Sequence, residues 1–187
     1  MKNRGRRARI GEGKVRRAAR RLHGLDVRVF RAVSGLRSGP LTPVMRGFTR
    51  VGTAGALWGV IAAVAFVFGG FYLPGLLVPW GAVAGAWILA EASKNLFDRA
   101  RPHDSDMGIA PLVKTPSSSS FPSGHSATAA AGAIALSAAY PAFAPLLLAA
   151  GLLVMLSRVY LGVHYPSDVF VGGVIGAVCV ALLVPLA

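Results

Sequence analysis

Forty consecutive residues, 51–90, carry no charged side chain, and this run constrains the fold more than any other feature of the chain. A second uncharged run lies between Lys114 and Arg158, and a third covers the 19 residues after Asp168. A helix needs about 20 mostly apolar residues to cross the hydrocarbon core of a bilayer, so these runs read as membrane spans. Composition agrees: 54% of residues are hydrophobic and 14% charged, against about 25% charged in soluble domains. The 187 residues suit one folded unit. It divides into a basic arm over residues 1–50 and an apolar core over residues 51–187.

The first run is too long for one span and is broken by Tyr72, Leu73, Pro74 and Gly75. Two helices are expected, over residues 54–71 and 76–96. Trp58, Tyr72 and Trp80 fall near their ends, where aromatic rings favour the interface. Residues 102–123 form a polar loop with four prolines and the serine run 117–120, which reads as a flexible linker. Further spans are expected over residues 124–140, from the prolines at 141 and 145 to about 161, and over 169–186. Gly172, Gly173 and Gly176 allow helices to approach closely in lipid. The expected fold class is all-α: an integral membrane helical bundle of about five transmembrane helices, preceded by an amphipathic helix in the interface.

That amphipathic helix comes from the arm. Residues 1–21 are Arg-rich with few apolar side chains and are expected to lack regular structure. From Leu22 onward Leu25, Val29, Val33 and Leu36 recur at helical spacing, as in helices that lie in the membrane plane. Of the 20 Lys and Arg residues, 15 fall in the first 50. Beside a membrane, anionic lipid headgroups are the expected partner of such an arm rather than nucleic acid. The single cysteine, Cys179, lies in the last apolar run and suggests neither a disulfide nor redox chemistry. His103, Asp104 and Asp106 read as loop residues rather than metal ligands.

Three polar clusters interrupt the apolar pattern. Glu91 and Lys94 lie on a hydrophobic helix, where ionisable groups face the bundle interior. Lys94 and Arg101 are two helical turns apart and share a face if the helix continues, which would make an anion clamp. They could equally pair with Glu91 or Asp98. Pro122, Ser123, Gly124 and His125 open an apolar helix, whose free N–H groups form an anion site. Ser123 could also be only an N-cap and His125 an interfacial histidine. Arg158, His164 and Asp168 form the third cluster. A carboxylate bonded to one imidazole nitrogen leaves the other as nucleophile or base. Two histidines on separate elements then allow one to attack phosphorus while the other protonates the departing oxygen. Three cations and a helix end would stabilise the transferring phosphoryl group without a cofactor or metal.

In order and spacing the clusters read K-x6-R-P from Lys94, P-S-G-H from Pro122 and S-R-x5-H-x3-D from Ser157. This resembles the signature of the type 2 phosphatidic acid phosphatase family. The resemblance implies that His164 forms a phosphohistidine, that Asp168 orients it and that His125 is the general acid. It also implies that Lys94, Arg101, Ser123, Gly124 and Arg158 bind phosphate. The expected activity is hydrolysis of a lipid phosphomonoester or pyrophosphate held in a bacterial plasma membrane. A polyprenyl pyrophosphate or other polyprenyl-linked phosphate is the first choice, with phosphatidylglycerophosphate or phosphatidic acid as alternatives. A non-enzymatic, basic membrane-tethering protein is the reading from another class. Vanadate-dependent haloperoxidases carry a similar constellation but are large soluble proteins. On sidedness the two signals conflict, since the basic arm favours the cytoplasm whereas the family analogy puts the site outside, and the expectation follows the family analogy.

Overall fold

The computed structural model describes the backbone of residues 2–105 and 107–184, with side chains for all of these except residues 2–16, 18 and 54. Asp106 and the end of the last expected span lie outside the described residues. Among the described residues seven α-helices follow in order: α1 (Lys2–Ser34), α2 (Leu41–Val51), α3 (Ala56–Phe68), α4 (Leu73–Lys94), α5 (Gly124–Ala139), α6 (Ala144–Tyr160) and α7 (Pro166–Leu183). No strand occurs among the described residues.

The expected spans correspond to α3–α7, but they are not equivalent. On length and apolarity α4, α7 and α6 with its leading turn can each cross a membrane. Helix α3 has 13 residues and makes a fourth span only together with α2, from which it is bent by 66°. Helix α5 is the centre. Its 16 residues cover about 24 Å, less than the roughly 30 Å of hydrocarbon, and α4, α6 and α7 pack around it. Almost every residue from Gly124 to Leu136 is buried. A helix so enclosed can start below the membrane surface, because its polar end meets protein rather than lipid.

Close approach explains the small residues on α5 and α7. A Cβ at Gly172 would lie 2.4 Å from the Ser123 carbonyl oxygen, and one at Gly176 would lie 2.3 Å from that of Ala127. Gly173 faces the end of the Met155 side chain instead. On the far side of α5, Gly132 makes room for Trp58, which is fully buried. The expected interfacial position of Trp58 is therefore wrong: its indole fills the notch left by Gly132. Tyr72 and Trp80 are exposed, as an interfacial ring would be.

Helix α1 also differs from expectation. It starts at Lys2, so the segment expected to be irregular continues the helix. Leu22, Leu25, Val29 and Leu36 remain exposed, as an interfacial stripe requires, whereas Val33 departs from it and packs half-buried against the Phe30 cluster. A neighbouring face carries Asp26 and Phe30, both buried against the bundle. Phe30 packs with Val159, Tyr165 and Val169. Beyond α1, Arg37 bonds the carbonyl oxygens of Tyr160 and Ala110 at 3.0 and 2.9 Å, and Arg46 bonds that of Leu112 at 3.1 Å. The arm is thus tied to the polar end of the bundle.

Candidate active site

That polar end holds a cavity of about 200 Å³. Glu91 and Lys94 reach it from the end of α4, and Arg101 and Ser118 from the segment before α5. Gly124, His125 and Thr128 come from the start of α5, Arg158 from the end of α6 and His164 from the loop that follows. Thr53, Trp87 and Pro116 complete the lining. A larger apolar groove of about 580 Å³ lies between α3 and α6. No charged residue lines that groove, so it has nothing to hold an anion.

Lys94 and Arg101 meet in the cavity by a different route from the one expected. The helix does not continue: α4 ends at Lys94 and Arg101 sits in extended backbone. Arg101 is buried and donates to the carbonyl oxygens of Ser118, Val163 and Ser119 at 3.1, 3.0 and 3.3 Å. Its guanidinium joins the long loop to the His164 loop, and burial lowers its pKa. Lys94 Nζ donates to Glu91 Oε1 at 2.6 Å. Glu91 also abuts Gly124, where a Cβ would come within 3.0 Å of that carboxylate oxygen.

Ser123 is the N-cap of α5. Its hydroxyl accepts from Ser126 N at 3.4 Å and from Ser126 Oγ at 2.9 Å, and the residue is fully buried. It stands behind the cavity and is not part of its lining, whereas Gly124 is. Capping by Ser123 fixes the helix end whose first N–H groups lack intrahelical partners. Arg158 donates through Nη1 to Thr49 Oγ1, from α2. Its Nε is buried with no acceptor among the described residues.

His164 follows a tight exit from α6. Gly162 takes φ +85°, open to glycine at little cost, and the N–H groups of Val163 and His164 both return to the Arg158 carbonyl. The expected Asp168 contact is only partly realised. His164 Nδ1 lies 2.7 Å from the carbonyl oxygen of Ser120 and 3.7 Å from Asp168 Oδ2. A carbonyl can only accept, so Nδ1 carries the proton and Nε2 keeps its lone pair. Burial lowers the His164 pKa to about 4, with Arg158 and Arg101 adding to the shift and Asp168 opposing it.

Asp168 is fully buried. It accepts from Ser120 Oγ at 2.5 Å, Tyr165 N at 2.8 Å and Arg99 Nη1 at 2.5 Å. The linker expectation for residues 117–120 therefore fails at Ser120, which is buried and touches both His164 and Asp168. Sequence reasoning also passed over Arg99, Thr49 and Asp26. Residues 1–50 hold 15 Lys and Arg but only two acids, Glu12 and Asp26, and that scarcity was the available sign for the last.

The family model described as the PAP2 superfamily matches residues 75–187. The chain belongs to the PAP2 superfamily. Decaprenylphosphoryl-5-phosphoribose phosphatase of Mycolicibacterium smegmatis is 38% identical over 150 residues, 78% of each chain. Two solved PAP2-type relatives show the same fold. LpxE of Aquifex aeolicus matches with a TM-score of 0.77 at 26% identity, over 86% of this chain and 95% of that one. The transmembrane phosphatidylglycerolphosphate phosphatase of Bacillus subtilis matches with a TM-score of 0.71 at 31% identity, over 88% and 85%. With its apolar helices, this PAP2 chain is an integral membrane protein.

Proposed function

We propose that this PAP2 protein is a membrane lipid phosphatase that removes a terminal phosphate from a polyprenyl-linked phosphate or pyrophosphate through a phosphohistidine. The observation that carries this reading is the sharing of one cavity by His125, His164, Lys94, Arg101 and Arg158. The lone pair on His164 Nε2 attacks phosphorus, the bond to the lipid oxygen breaks, and His125 gives that oxygen a proton. Water then attacks the phosphohistidine and returns its proton to His125, releasing phosphate and free His164. The buried Nε–H of Arg158, Lys94 and the N-terminus of α5 around Gly124 supply donors to the phosphoryl oxygens, most valuable where water is excluded. Asp168 and Ser120 hold the His164 ring in the required tautomer, and Ser123 acts through the helix end it caps.

The polyprenyl tail is favoured by the enclosing apolar bundle, by exposed Trp87 at the cavity rim and by the nature of the Mycolicibacterium relative. The arm binds anionic headgroups. It also bears on sidedness. Helix α1 is docked at the site end, while the turns at 69–72 and 140–143 contain no charge. The excess of Lys and Arg therefore favours a site on the cytoplasmic face of a bacterial plasma membrane. Purified protein should be offered a polyprenyl pyrophosphate, a polyprenyl-linked sugar phosphate, phosphatidylglycerophosphate and phosphatidic acid. Phosphate release is expected to be fastest with the polyprenyl substrates, and His164→Ala should abolish it for all four. Activity surviving that substitution would rule out the phosphohistidine.

A further inference from the structure

We infer that Asp26, on the amphipathic helix α1, is a positioning residue for catalysis, acting through Arg99 on the carboxylate that orients His164. This rests on the role proposed above for His164 and Asp168. The contacts are direct. Asp26 Oδ2 accepts from Arg99 Nη2 at 2.7 Å, and Arg99 Nη1 reaches Asp168 Oδ1 at 2.5 Å. Both carboxylates are buried, while the guanidinium between them is partly exposed. The fork of Arg99 is planar, so fixing one arm on Asp26 fixes the direction of the other. Its central carbon, Cζ, lies over the Tyr165 ring, 4.4 Å from the centroid.

Asp26 also caps α7 from outside. Its Oδ1 accepts from Ser167 N at 2.9 Å and its Oδ2 from Ser167 Oγ at 2.6 Å. A carboxylate at a helix N-terminus is held there by free N–H groups and the helix dipole. The start of α7, with Asp168 in its first turn, is thereby tied to α1. With Oδ1 of Asp168 held by Arg99, Oδ2 is left to meet Ser120, Tyr165 N and the His164 ring. One cation shared between two anions also leaves Asp168 more of its negative charge. Without Asp26, the whole charge of Arg99 would fall on Asp168 and weaken the field that supports a nucleophilic imidazole. The arm is thus built into the site, although none of its described residues lines the cavity.

The test compares full-length Asp26→Asn, Asp26→Glu, Phe30→Ala and His164→Ala with the native protein, using farnesyl pyrophosphate in detergent micelles as probe. Monodispersity and thermal unfolding are checked for each. Asp26→Asn is expected to lower kcat at least tenfold with KM changed less than about twofold, and Asp26→Glu to recover much of the loss. Phe30→Ala, which loosens α1 without touching a charge, is expected to keep kcat near native. An unchanged kcat in Asp26→Asn, or an equal loss in Phe30→Ala, would overturn the inference. Activity in His164→Ala would instead remove the reading beneath it, so the two failures are distinguishable.

Discussion

His164 Nδ1 sits 2.7 Å from the Ser120 carbonyl and a full ångström farther from Asp168, so a backbone oxygen, not the carboxylate, is the nearest acceptor for its proton. The Ser120 hydroxyl meanwhile donates to Asp168 Oδ2 at 2.5 Å. One serine thus touches both members of the pair, once through its backbone and once through its side chain. Replacing it by Ala keeps the carbonyl and leaves one buried carboxylate oxygen with a donor fewer. A lost bond to a charged, buried group costs about 1.5–3 kcal/mol. Ser120→Ala should therefore lower kcat by roughly 10- to 100-fold, with little change in KM. Steady-state phosphate release checks this.

The acid limb of kcat/KM reports the free enzyme. Nucleophilic attack needs His164 neutral, and burial lowers its pKa from the ordinary 6.5 to about 4. The neutral form is present above that value and is lost as pH falls through it. Activity limited by this group should therefore hold from neutral pH to about 5 and fall away near 4. A limb at the ordinary histidine value would contradict the buried, positively flanked environment described here.

Glu91 sets an anion beside the place where phosphate must bind. It is half exposed and paired with Lys94, and such pairs contribute up to about 1 kcal/mol. Glu91→Gln releases Lys94 and removes a like charge from the cavity. Inhibition by inorganic phosphate should tighten by up to about fivefold. Competition assays on the native protein and the variant measure it.

Packing of α7 on α5 should be intolerant of a single methyl group. Gly172→Ala and Gly176→Ala place a Cβ within 2.4 Å of main-chain oxygens that cannot move independently. Overpacking of this kind costs about 1–3 kcal/mol. Gly173→Ala meets only the mobile end of Met155 and should be tolerated. Thermal unfolding in detergent is expected to separate the first two from the third.

Sidedness can be read with single cysteines placed by Glu12→Cys, Ser117→Cys and Ala142→Cys in a Cys179→Ala background. With the arm and the site on the cytoplasmic face, an impermeant thiol reagent labels only the 142 position in intact cells. The other two react after permeabilisation. Labelling at 12 and 117 from outside reverses the assignment.

The linear order of residues was enough to determine the helical membrane class, the break near Tyr72 and the three polar clusters. Those features are local: an uncharged run of membrane length, a proline and glycine between runs, fixed spacings within one segment. Of the residues in the motif pattern, Lys94, Arg101, Gly124, His125, Arg158 and His164 line the cavity, whereas Ser123 and Asp168 do not. Tertiary structure alone decided which of them touch. Ser120 looks like any serine in a polar stretch until the loop folds back and its carbonyl reaches His164 across 44 positions. Trp58 resembles an interfacial ring until Gly132 opens a notch for it. Asp26, passed over in a basic arm, meets Arg99 only because α1 lies across the start of α7. Pairings between distant segments depend on packing geometry, which no single segment encodes, and this supporting shell around His164 is made almost wholly of such pairings.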